Sequence, residues 1–262
     1  MYRTNINIIG SIPNFDLIID VISNYALGEK KDFVIDEIIH RNIYGIRTRK
    51  STSRFLKAIH DVFLKFKSND HRIVFYSIFK STNLLTLRKI ALFYQFAIND
   101  ELFYEITSNV FLELYLAGRL TVDASEFTSY LYDLRDKKTE IRQWSDSTIK
   151  IVASKYLTLL KKLDLLRGSA KKEFKHITPD DATIVYVFYL ICSLGKSESN
   201  FMKNPYLPLL MISQQNLIDR LKKIALDDFL AITTLGNDLK IELKYSYEEI
   251  ADVIVKRYQS KV

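Results

Sequence analysis

Apolar residues recur every three or four positions along most of this chain, and that period predicts helices. Phe15, Ile18, Ile19 and Ile22 form one stripe over 15–25, and Gly28 supplies a stop. Asp32 stands where it can cap a second helix whose buried side is Val34, Ile35, Ile38 and Ile39. After the break RNIYGIRTRK a third helix is expected from about Ser51 to Phe66. Phe55, Ile59, Val62, Phe63 and Phe66 line its apolar side, and Arg54, Lys57, Asp61 and Lys65 the other. Two helices, a short irregular connection and a basic helix follow one another in the order of a helix-turn-helix unit. Residues 70–117 read as a run of aromatic helices that supply packing.

A second triplet follows. Asp123 and Glu126 have capping-box spacing ahead of Phe127, Tyr130, Leu131 and Leu134. A long helix opened by Ser145 or Ser147 then buries Ile149, Val152, Ala153, Tyr156, Leu159, Leu160 and Leu163. GSAKKEFKHI reads as a basic loop or short wing. Thr178 and Pro179 open an apolar helix to Leu194, and SQQNLIDRLKKIAL is another helix. DDFLAITTLGNDLKIELKY alternates about Gly236-Asn237 as a β-hairpin, and Ser246 with Glu249 boxes the last helix. The expected fold is mainly α: a helical bundle with two helix-turn-helix (winged-helix-like) units and a small C-terminal β-hairpin. Its segments are 1–68, 69–118, 119–178 and 179–262.

Composition agrees. Only 7 Gly and 4 Pro in 262 residues leave little material for tight turns or linkers. The lone Cys192 forms no internal disulfide, and the N-terminus lacks the build of a signal peptide, so a cytoplasmic protein is expected. The longest apolar run, 184–194, is about half the roughly 20 residues of a membrane span. No membrane partner is expected.

Charge changes the picture more. The formal net charge is +7, yet residues 38–60 hold six Lys/Arg and no acid. Residues 137–175 hold eleven basic and four acidic side chains, so everything outside the two windows is net acidic. Focused basicity is the footprint of a polyanion binder, although two solvated basic helix faces also produce it. STSRFL at 51–56 and STIKIV at 147–152 share the order Ser-Thr-x-basic-x-aliphatic, each at a helix start. That echo suggests two copies of one recognition device, or simply good caps.

The candidate nucleic-acid-binding residues are Arg47, Arg49, Lys50, Ser51, Thr52, Arg54 and Lys57 in the first window. In the second they are Ser145, Ser147, Thr148, Lys150, Lys155, Lys161, Lys171 and Lys172. Cations beside a helix start and its free N–H groups suit phosphate, and the hydroxyls suit either capping or phosphate. Trp144 is placed for a hydrophobic staple or for base stacking. Neither a phosphate loop, a nucleophile elbow nor metal-ligand spacing among the four histidines is present, so no catalytic residue, metal or cofactor is expected. Asp180 and the ELK at 242–244 superficially evoke a nuclease. A proline-aspartate pair at a helix start is explained by the helix dipole instead.

RKSTSRFLKAI after a helical pair, and WSDSTIKIVASKYLTLLKKLDLL, resemble the BrxA family of BREX bacteriophage-defence systems over about residues 15–167. The resemblance implies a non-enzymatic, mostly helical protein that binds DNA beside other BREX proteins, and the basic helix starts favour double-stranded DNA. Its likeness in shape to small helical antitermination factors keeps RNA open as a ligand. A scaffold subunit whose basic faces meet acidic partners is the reading from a different class.

Overall fold

The computed structural model of the chain describes residues 4–80, 84–195, 201–226, 229–235 and 238–258. A short helix α1 (Ile6–Gly10) precedes α2 (Asp16–Ala26), α3 (Lys31–His40) and α4 (Arg49–Phe63). Next come α5 (Asn69–Lys80), α6 (Leu85–Asn99), α7 (Glu101–Ile106) and α8 (Leu112–Leu116), the last two joined by a π-helical turn over Thr107–Phe111. Then follow β1 (Thr121–Val122), α9 (Ala124–Lys137), α10 (Asp146–Lys162), β2 (Leu166–Arg167) and β3 (Lys172–Phe174). The chain continues through α11 (Asp181–Ser193), 3₁₀ turns at Phe201–Lys203 and Leu207–Leu210, and α12 (Gln214–Leu226). β4 (Leu230–Leu235), β5 (Asp238–Leu243) and α13 (Ile250–Tyr258) complete it. The class is mainly α with small antiparallel strand pairs.

Capping chemistry moves several helix ends from their expected places. Thr48, not Ser51, caps α4: its Oγ1 accepts from the Ser51 N–H at 3.1 Å. Asp32 lies inside the first turn of α3, whose N-cap is Lys30. Asp180 caps α11, accepting from the Thr183 N–H at 2.7 Å, so Thr178 and Pro179 precede the helix. Of the two serines offered for α10, Ser145 is the cap. Helix α4 also stops at Phe63 rather than Phe66. Its last carbonyls are taken by α6: Gln95 Nε2 donates to Phe63 O at 3.2 Å and Asn99 Nδ2 to Val62 O at 2.8 Å. Phe66 instead packs edge-on against His71 and Tyr76. The Asp123–Glu126 capping box forms as expected. The Gly236-Asn237 turn lies outside the described residues.

Two compact units interleave along the chain: Met1–Lys65 with Leu92–Ile177, and Phe66–Ala91 with Thr178–Val262. In the first, a run of rings threads the core. Phe63 meets Phe96, Phe96 stacks on Phe103 at 4.2 Å, and Tyr156 lies between Phe103 and Phe127. The Tyr156 hydroxyl pairs with Thr107 Oγ1 at 2.9 Å, satisfying both polar groups inside an apolar core. Strand β3 pairs antiparallel with both β1 and β2, giving the sheet order β1-β3-β2 with β2 against α10. The short α1 packs against both α4 and α10.

In the second unit α11 is apolar all round and almost wholly buried, as a central helix should be. It contacts α5, α12 and α13. The Tyr189 hydroxyl donates to Phe229 O at 3.2 Å and accepts from the Tyr245 N–H at 3.0 Å. It thereby ties together the two ends of the β4–β5 hairpin, which pairs Leu230 with Leu243. Arg220 clasps the Asp181 carboxylate and the Pro179 carbonyl, pinning α12 to the start of α11.

Candidate nucleic-acid interface

Both basic windows fall in the first unit. The loop into α4 is closed by Asn42. Its Nδ2 donates to Ile46 O at 3.1 Å, and its Oδ1 accepts from the Ile46 N–H at 2.8 Å. Gly45 there has φ +59, which glycine adopts without strain. The Tyr44 hydroxyl donates to Asp20 at 2.7 Å and anchors the loop on α2. With the turn held this way, Thr52, Phe55, Ala58, Ile59, Val62 and Phe63 of α4 face inward.

Lys50, Arg54 and Lys57 then fall within an arc of about 60° on the outer side of α4, from the 100° turn per residue. All three are exposed, as are Arg47 and Arg49. None of these five makes an ion pair among the described residues. Neighbouring cations outside the set are engaged: Arg41 pairs with Glu37 and Lys65 with Asp61, each at 3.1 Å. Ser51 is half-buried, its hydroxyl accepting from Thr48 Oγ1 at 3.0 Å. Thr52 is 2% exposed and its hydroxyl donates to the Thr48 carbonyl. It reaches no solvent-borne phosphate.

On α10 the candidates divide. Lys150 and Lys161 are exposed and about 20° apart around the helix. Lys155 lies about 140° from Lys150, half-buried where α1 arrives. A Cβ added to Gly10 would come within 2.8 Å of the Lys155 carbonyl oxygen, so the two helices touch backbone to backbone. Lys162, two turns further, donates its Nζ to the carbonyls of Gly10 and Ile12, capping the C-terminus of α1. Burial first, and then the Lys155 charge, lower its pKa. Ser145 and Ser147 are exposed and Thr148 half-buried, their three hydroxyls clustered through Ser145 at 2.8 and 2.9 Å. The acid of the first turn, Asp146, is held by Arg135 at 2.8 Å, and Arg135 also donates to the carbonyl of the half-buried Trp144. Between β2 and β3, Lys171 is exposed and without an ion pair among the described residues, whereas Lys172, which opens β3, is half-buried and donates to the Ser169 carbonyl.

The Ser-Thr echo is one residue out of structural register. Matching the caps Thr48 and Ser145 pairs buried Thr52 with Ile149, Phe55 with Val152, Ile59 with Tyr156 and Val62 with Leu159. In that register Lys50, Arg54 and Lys57 correspond to Ser147, Ile151 and Ser154, which are uncharged. Lys155 corresponds to the buried Ala58, which is why it points away from Lys150. The sequence signal that finds this is the spacing from cap to first buried residue, not the Ser-Thr pair.

Among the described residues no group of His, Cys, Asp and Glu is placed to hold a metal ion, and no helix is long and apolar enough to cross a membrane. Asp180, offered above as a nuclease acid, is spent as the cap of α11.

What fold and surface define together is a mainly α protein carrying two amphipathic basic helices and a basic strand loop on one compact unit. A family model, BrxA, matches residues 18–187, from α2 into α11, and the chain belongs to the BrxA family. Neither a curated protein nor a solved structure matches it.

Proposed function

We propose that this chain is a non-enzymatic, duplex-DNA-binding component of a BREX bacteriophage-defence system. The observation that carries the reading is the set of exposed, unpaired cations on α4, α10 and the β2–β3 loop of one unit. The order β1, α9, α10, β2, β3 with β3 central supports a winged-helix reading, on which α10 would face the groove and 168–171 form the wing. Helices α2, α3 and α4 supply the first helix-turn-helix, with α4 leading. Family membership supports the defence setting. Side chains suited to base edges are scarce on the outer faces, so sequence preference is modest. Phosphate contact supplies most of the affinity.

A gel shift of the intact chain on duplex DNA, single strands and structured RNA, at low and moderate salt, tests this. Salt-sensitive binding of duplex above the other two is expected. Preference for structured RNA would replace DNA by RNA as the ligand. Binding to none of them would leave a scaffold subunit whose basic faces meet acidic partner proteins.

A further inference from the structure

The outward face of α4 borders an apolar groove that the DNA reading does not use. Val21 of α2 and Val34 of α3 form its floor, each almost wholly buried, and Ile35 and Ile39 continue it along α3. Leu56 closes the α4 side. The space is about 380 Å³, inside the roughly 300–1,000 Å³ of small-molecule sites. That holds one small ligand rather than the row of anchors a docking helix presents.

The mouth is polar and carries both signs of charge, with Lys57 the cation. Ser53, Lys57, His60 and Asp61 line it from α4. Asp61 is occupied by Lys65 at 3.1 Å. Lys57 has neither ion pair nor hydrogen bond among the described residues, and Lys50 and Arg54 share its arc. Tyr25 also lines the space. Burial and then Asp32 raise its pKa, so it stays a hydrogen-bond donor. An apolar slot whose rim carries an ammonium with no ion pair among the described residues suits an amphipathic anion.

We propose that the α2–α3–α4 groove is a binding site for a small amphipathic carboxylate, its apolar body against Val21, Val34 and Ile39 and its head group on Lys57. The site shares Lys57 with the DNA reading but does not rest on it, because its occupancy is measured with no nucleic acid present. Isothermal titration calorimetry of the intact chain with decanoate, well below micelle formation, should show saturable one-site binding. Lys57→Met, which keeps the apolar stem, should weaken decanoate at least about tenfold and leave decanol unchanged. Ile39→Trp, filling the slot, should abolish both; Lys57 is exposed, so its variant keeps the test valid should Ile39→Trp misfold. The proposal is overturned by any of three results: no saturable binding, equal affinity for decyltrimethylammonium, or a Lys57→Met variant that binds decanoate like the parent. It is also overturned if an acidic amphipathic peptide saturates the groove where decanoate does not.

Discussion

Replacing Lys50, Arg54 and Lys57 together by Ala removes three cations that share one side of α4 and hold no ion-pair partner among the described residues. Each phosphate neutralised contributes about 0.9 to the magnitude of the log–log salt slope, so the triple variant should lose about 2.7. A fourfold change in salt then alters its affinity roughly forty-fold less than the parent's, by the same relation. Stability should barely move, since exposed substitutions away from caps and core stay within about 0.5 kcal/mol. The counterpart set, Lys150, Lys161 and Lys171, should lose up to the same amount, whereas Lys155→Ala alone should leave the slope unchanged. Fluorescence anisotropy on a short duplex across a salt series reads all of this, with circular dichroism melts as the control for folding. An unchanged slope in both triple variants would refute the DNA interface and favour the scaffold reading. A loss on Lys155→Ala equal to that on Lys150→Ala would refute the assigned orientation of α10.

Three further outcomes follow from the packing. Gly10→Ala should lower the melting temperature, because the methyl meets the Lys155 carbonyl at 2.8 Å; overpacking of about 1–3 kcal/mol outweighs the roughly 1 kcal/mol that alanine gains over glycine in a helix. A raised midpoint would show that α1 does not touch α10. Asp100, capping α7 and holding the Thr4 hydroxyl and the Asn5 N–H, has its carboxyl pushed up to about 6, chiefly by burial. The native state then binds that proton more tightly than the unfolded chain, so this group's contribution to stability rises as pH falls from 7 towards 4. The gain between pH 7.5 and 5 is on the order of 1 kcal/mol, and Asp100→Asn should abolish it in paired urea titrations; an identical pH trend in the variant would refute it. Tyr189→Phe strips a partner from both Phe229 O and the Tyr245 N–H, and should cost about 1–3 kcal/mol with faster exchange of the Tyr245 amide. Unchanged exchange would show that the hydroxyl does not hold the hairpin.

Much of the helical layout is legible in the sequence, because stripes such as Phe55, Ile59 and Val62 carry their own period and Asp123–Glu126 carries its own cap. What is not legible depends on residues far away in the chain. INIIG has no helical period, and α1 acquires its place by docking its buried Ile6 and Ile9 beside α10, whose Lys162 caps it. Strand β1 is two residues long and exists because β3 pairs with it some fifty positions later. The groove beneath Leu56 is equally invisible, since Val34, Ile35 and Ile39 read as ordinary core on α3 and Lys57 and Asp61 as a solvated face of α4.

The same distance effect decides how the two basic helices share their work. Ser-Thr at 51 and at 147 matches as text, yet Thr52 is buried while Thr148 is half-exposed, because the caps sit at Thr48 and Ser145. Aligned on those caps, the arc of three cations on α4 meets Ser147, Ile151 and Ser154 on α10. Lys155 and Lys162, which make α10 look as basic as α4 in sequence, are turned towards α1. The unpaired charge of the second device is therefore Lys150, Lys161 and, across the strand loop, Lys171, spread over two elements rather than gathered on one arc. If one duplex is held by both helices, α4 supplies the concentrated electrostatic grip and α10 with its wing a weaker, more shape-dependent one. Single substitutions should report that difference: Arg54→Ala should weaken duplex binding more than Lys150→Ala at low salt, and the gap should close as salt rises. The reverse order would mean that α10, despite its thinner charge, leads the contact.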